Sequence, residues 1–106
     1  MEVEQIVMQL IVNSGEARAY AYDALEKAKE GKYKESDELM DKANDVIDKT
    51  HNIQTSLLQK EASGDEMKIS ILFVHAQDHL MTAISEKNLI GQIIELRKAI
   101  NPLLKK

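Results

Sequence analysis

A chain of 106 residues with a formal net charge of −4 and no cysteine has room for one domain, and it excludes a disulfide framework, a thiolate metal site and a cysteine nucleophile. The acidic balance argues against a nucleic-acid binder, and the dibasic tail Lys105-Lys106 is too short to change that. No apolar run approaches the roughly 20 residues that span a bilayer, the start Met1-Glu2-Val3-Glu4 is acidic where a signal peptide is basic, and the lack of cysteine fits a reducing, cytoplasmic setting.

The apolar content is carried by Ile, Leu, Val, Ala and Met, with a single proline and no tryptophan, which is the make-up of a helical bundle. Periodicity and punctuation predict an all-α, antiparallel three-helix bundle, with helices over about 3–30, about 33–61 and about 66–101 of one domain spanning 1–106. The first helix carries the stripe Val3, Val7, Leu10, Ser14, Ala17, Ala21, Ala24 and Ala28. Its second half is almost all small, so a neighbour packs closely there. Gly15 interrupts it at a cost of about 1 kcal/mol relative to alanine, and close packing is the expected reason. Gly31 stops the helix.

The second helix repeats Leu39, Ala43, Val46, Thr50, Ile53 and Leu57, widened by Met40, Ile47 and Leu58. His51 is expected to be an ordinary hydrogen-bonded or half-exposed histidine. Ala62-Ser63-Gly64-Asp65-Glu66 breaks the pattern, with Ser63 or Asp65 placed to cap the third helix and Glu66 to meet its N-terminal dipole.

The third helix has two apolar seams, and Pro102 is expected to end it. One seam is Ile69, Phe73, Ala76, Leu80, Ala83, Ile90 and Ile94, which can face the other two helices. The other is Ile71, His75, Asp78, Thr82, Leu89, Ile93, Leu96 and Ile100, well over 90° around the helix at about 100° per residue. A three-helix monomer needs only one. The second predicts self-association, with several copies of this helix around a shared axis and Asp78 pointing into the junction.

His75, Asp78 and His79 stand at i, i+3 and i+4 in an otherwise apolar stretch, where ionisable groups need partners or a task. Three chemistries fit. The residues can form a polar layer that fixes the register of an oligomer. The histidine pair can hold zinc with a third ligand from elsewhere, though Ala76 stands where the His-Glu-x-x-His protease motif has its glutamate. A histidine nitrogen can also act as a nucleophile that accepts a group and hands it on. Leu80 and Met81 are expected to give the cluster an apolar partner surface.

Val74-His75-Ala76-Gln77-Asp78-His79-Leu80-Met81-Thr82 resembles the signature of the lactose/cellobiose-type enzyme IIA proteins of the bacterial sugar phosphotransferase system. Ile11-Val12-Asn13-Ser14-Gly15-Glu16-Ala17-Arg18, Gln54-Thr55-Ser56-Leu57-Leu58 and Glu61-Ala62-Ser63-Gly64 resemble the same family. The resemblance implies a homotrimer of three-helix bundles packed along the third helix. It implies that His75 takes a phosphoryl group from the histidine phosphocarrier protein HPr and passes it to a cysteine of enzyme IIB, for uptake by membrane enzyme IIC. Asp78 matches the family aspartate that binds a divalent metal on the trimer axis, for which Mg²⁺ is the expected ion. His79, one turn beyond the acceptor, is placed to donate to the phosphoryl oxygens. The sugar implied is a β-linked disaccharide of the cellobiose, lichenan or chitobiose type, or lactose. The alternative is a non-catalytic helical oligomerisation module with a His/Asp metal site.

Overall fold

In a computed structural model, the structure describes residues 3–64 and 71–104 of the protein, and these form three helices with no strand. Helix α1 spans Val3–Lys29, α2 spans Tyr33–Ala62 and α3 spans Ile71–Leu104. They run up, down and up in a rod 62 × 19 × 18 Å. Among the described residues no helix is long and apolar enough to cross a membrane.

The turn after α1 is built by Gly31, whose φ of +78° only glycine adopts cheaply. The Lys32 amide donates to the Lys27 carbonyl at 2.9 Å and the Gly31 amide to that of Ala28 at 3.1 Å, so the last carbonyls of α1 are satisfied as the chain reverses. Gly64, with a φ of +103°, ends α2 in the same manner. Ser63 stands at the close of α2, its hydroxyl donating back to the Lys60 carbonyl at 2.8 Å; the residues it is expected to cap lie outside the described ones. The expected start of α3 at 66, Asp65 as its cap and Glu66 beside its dipole lie outside the described residues, as does Ile69.

Pro102 does not end α3, which continues to Leu104. A proline in the last turn forgoes one backbone bond, here to Lys98, with little helix beyond it to disturb. Asn101 holds that turn in place, its Nδ2 donating to the Ala28 carbonyl and to the Tyr33 hydroxyl at 2.9 Å each.

The first seam of α3 is buried as expected, from Phe73 through Ala76, Leu80, Ala83 and Ile90 to Ile94. It packs mainly on α1, and α2 and α3 scarcely meet. The buried positions of the two parallel helices follow the same steps, Val7, Leu10, Ser14, Ala17, Ala24 and Ala28 against Phe73, Ala76, Leu80, Ala83, Ile90 and Ile94. In α2 the buried line is turned a little within the expected stripe: Ile47, expected at its margin, is inside together with Gln54, Val46 and Ile53 are half-buried, and Leu58 is exposed. Two polar anchors reward that turn. The buried Ser36 hydroxyl donates to the Ala24 carbonyl at 2.8 Å, and Gln54 donates through Nε2 to Gln77 of α3.

The expected close packing at Gly15 is absent. Gly15 is exposed, one position past buried Ser14, and a Cβ there would meet nothing within 4 Å. Close approach is instead the work of the alanines. Ala21, Ala24 and Ala28 are fully buried against Ala43, Ile90 and Ile94. Ala24→Leu should overfill this layer and pry Ser36 from the Ala24 carbonyl, lowering stability by about 1–3 kcal/mol in urea unfolding. An unchanged midpoint would mean that the layer yields without strain.

Candidate functional site

His75 and His79 precede the buried Ala76 and Leu80, so both lie on the flank of α3 that borders α1. His75 is exposed and His79 half-buried. Their ring centroids are 5.7 Å apart with planes at 80°, the edge of one ring toward the face of the other. Gln77 follows Ala76 and lies on the opposite flank, accepting the bond from Gln54. Asp78 is exposed, two positions from Ala76 and thus on the side of α3 turned away from the core. The fold brings the two histidine rings together and leaves Asp78 exposed on the outer side of α3, one turn from His75. His51 is exposed on α2.

The neighbourhood of His79 includes a network that the sequence reading missed. Glu86 of α3 accepts an ion pair from Arg18 at 2.9 Å and a hydrogen bond from the Tyr22 hydroxyl at 2.5 Å, both from α1. Seven residues earlier on each helix, the positions that correspond to Arg18, Tyr22 and Glu86 are Ile11, Gly15 and His79. The signal was in the sequence: Ile11, Gly15, Arg18 and Tyr22 step by four, three and four, as do His75, His79, Thr82 and Glu86. The Nδ1 atom of His79 is buried with no hydrogen-bond partner, which leaves Nε2 as its nitrogen on the accessible side.

Chemically this is an exposed imidazole with a second, half-buried imidazole beside it. That suits group transfer to a histidine nitrogen, with the neighbour placed to donate to an anion. It gives no support to a zinc site within one chain, since among the described residues no three His, Cys, Asp or Glu side chains cluster as ligands. Leu80 is fully buried and cannot form part of a partner surface. Met81 is about half-exposed, but six residues from His75 it points roughly 120° away around α3.

The Tyr22 hydroxyl, and after it the Arg18 guanidinium and His79, hold the Glu86 carboxyl below the usual glutamate range. The same bond raises the Tyr22 hydroxyl above the usual tyrosine value. A depressed carboxyl stabilises the fold above its unfolded value, about pH 4.3, and that contribution is lost as pH falls through the folded value. Glu86→Gln should therefore flatten the acid side of a melting-temperature profile below about pH 4.3 and cost no more than about 1 kcal/mol at neutral pH, because the pair faces solvent. An acid limb as steep as wild type would assign the acid loss to other carboxyls.

Comparison with known proteins agrees with this geometry. The family model of the PTS system lactose/cellobiose-specific IIA subunit matches residues 5–98. The N,N'-diacetylchitobiose-specific EIIA component of Escherichia coli strain K12 is 42% identical over 99 residues, covering 93% of this chain and 85% of that protein. The crystal structure of the cellobiose-specific enzyme IIA from Bacillus anthracis superposes with a TM-score of 0.91 at 50% identity, covering 96% of this chain and 94% of that one. A solution structure of the chitobiose IIA–HPr complex matches with a TM-score of 0.85 at 40% identity, covering 95% and 98%. With an exposed histidine set beside a second one on a three-helix scaffold shared over nearly its whole length with these proteins, the chain belongs to the lactose/cellobiose-specific IIA subunit family and is an enzyme IIA component of the sugar phosphotransferase system.

Proposed function

We propose that this chain is a cytoplasmic phosphohistidine carrier that takes a phosphoryl group from HPr on His75 and delivers it to a cysteine of enzyme IIB. The observation that carries the reading is the exposed His75 ring with His79 beside it, on a chain whose relative forms a IIA–HPr complex. In the first step a lone pair on a His75 nitrogen bonds to phosphorus while the donor's N–P bond breaks and its ring keeps the electron pair. In the second, the cysteine thiolate bonds to phosphorus and the His75 nitrogen keeps the pair. The transition state is loose and in line, so the protein's contribution is position and charge. His79 supplies a donor to the phosphoryl oxygens from Nε2, its ring held by enclosure of the Nδ1 edge. To test the relay, phosphorylated protein is mixed with enzyme IIB or with its cysteine-to-serine variant. Phosphate should leave only in the first case, and retention in both refutes the second step.

The assembly proposed is a homotrimer along α3. Ile71 is 91% exposed, Leu89 64% and Leu96 59%, and with Ile93 and Ile100 they form an apolar strip that soluble monomers avoid. Asp78 sits in that strip. A single chain offers one carboxylate there, so a cation would be held between copies, one Asp78 from each. A ring of carboxylate oxygens suits a hard ion such as Mg²⁺, which keeps water in the rest of its shell. The ion's contribution is to offset like charges at the junction. The sugar proposed is a β-linked disaccharide of the chitobiose, cellobiose or lichenan type, or lactose, in line with the names of the relatives.

A further inference from the structure

Helix α1 carries an exposed, largely apolar face beside α3. Met8, Val12, Gly15, Ala19 and Tyr22 follow steps of four and three, and all are exposed, Val12 by 58%. By the seven-residue repeat, Gly15 stands to His79 as Tyr22 stands to Glu86. Glycine at this position answers no need of the chain itself. Its φ is not positive, α1 runs through it unbroken, and a Cβ would meet nothing within 4 Å. Alanine would be the better helix residue at no steric cost. Two turns further on, Tyr22 covers Glu86; at the equivalent place Gly15 leaves His79 uncovered beside His75.

We propose that Gly15 is a docking notch for the donor protein that carries the phosphohistidine: the missing Cβ lets that protein close on α1 far enough for its ring to reach His75. The inference rests on the phosphocarrier reading. The occupant it fits has a small apolar patch around its histidine, to meet Met8 and Val12, and a basic rim. Glu16 and Asp23 edge the strip and have no ion-pair partner among the described residues. A second copy of this chain is the competing occupant, and sedimentation in the test separates it from the donor.

The test compares wild type, Gly15→Ala, Gly15→Leu and Gly91→Ala for transfer from the phosphorylated donor, melting temperature and sedimentation. Gly91 is the control, an interior glycine of α3 far from His75 whose added Cβ would touch only Met40 Cε, at an ordinary 3.8 Å. Both alanine variants should melt higher than wild type. Gly15→Ala should raise the KM for the donor about tenfold, Gly15→Leu more, and Gly91→Ala should transfer as wild type does. Wild-type kinetics in Gly15→Ala overturn the notch. So does a lower melting temperature, which would show that the fold needs the glycine, or loss of an assembly that wild type forms, which would make the occupant a second copy. A wild-type chain that takes no phosphoryl group removes the phosphocarrier reading, and the notch with it.

Discussion

Incubated with phosphoenolpyruvate, enzyme I and HPr, the wild-type chain is expected to gain acid-labile phosphate and His75→Ala to gain none. The chain has three histidines, and their settings differ in what they allow. His51 is exposed on α2 without a second imidazole beside it. His79 is half-buried with Nδ1 enclosed, so one edge of its ring is closed to a reagent that must approach in line. His75 is exposed and has a neighbouring ring 5.7 Å away. Removing the nucleophile removes the bond-forming atom, so the loss in His75→Ala is complete. His79→Ala should still be labelled, but more slowly by about 10²-fold, the usual cost of losing one donor to a developing charge. Phosphate retained in His75→Ala, or lost from His79→Ala alone, would falsify the assignment.

Much of this arrangement was legible because helical spacing is a strong signal. The inner seam of α3 and the small face of α1 came from periodicity alone, and both are buried as read. Gly31 was legible because a left-handed residue after a periodic run has a narrow chemical solution. What periodicity does not resolve is rotation by a fraction of a turn. In α2, Ile47 and Gln54 took the inner places because Ser36 and Gln54 found partners across the bundle, and such partners lie far away in sequence. Ser63 and Gly64 end α2, the one by a hydroxyl bond to the Lys60 carbonyl and the other by its positive φ. At the site, the histidines were visible as polar residues in an apolar helix. The Arg18–Glu86–Tyr22 network was not, because its members look like solvated charges until α1 and α3 are laid parallel. Gly15 was noticed and given the commoner explanation for an interior glycine, which the open space around it removes.

Asp78→Leu should leave the protein a trimer that is indifferent to chelator, whereas wild type should lose heat stability when divalent cations are removed. The strip of Ile71, Leu89, Ile93, Leu96 and Ile100 supplies the attraction between copies. Asp78 lies in the same strip and opposes it. Two carboxylates about 4 Å apart at an effective dielectric constant of about 20 repel by about 4 kcal/mol, and a ring of three contains three such pairs. A bound cation, or a shared proton, offsets that repulsion. Leucine abolishes it and adds apolar area, at about 0.8 kcal/mol for each buried methylene, repeated in every copy. The variant should therefore melt higher than wild type without metal. Because Asp78 points away from the core and is not the phosphoryl acceptor, phosphoryl uptake from HPr should survive the change. Sedimentation equilibrium decides between the outcomes. A monomeric wild type would remove the trimer, and a variant that dissociates would show that Asp78 holds the copies together through a bond that leucine cannot replace.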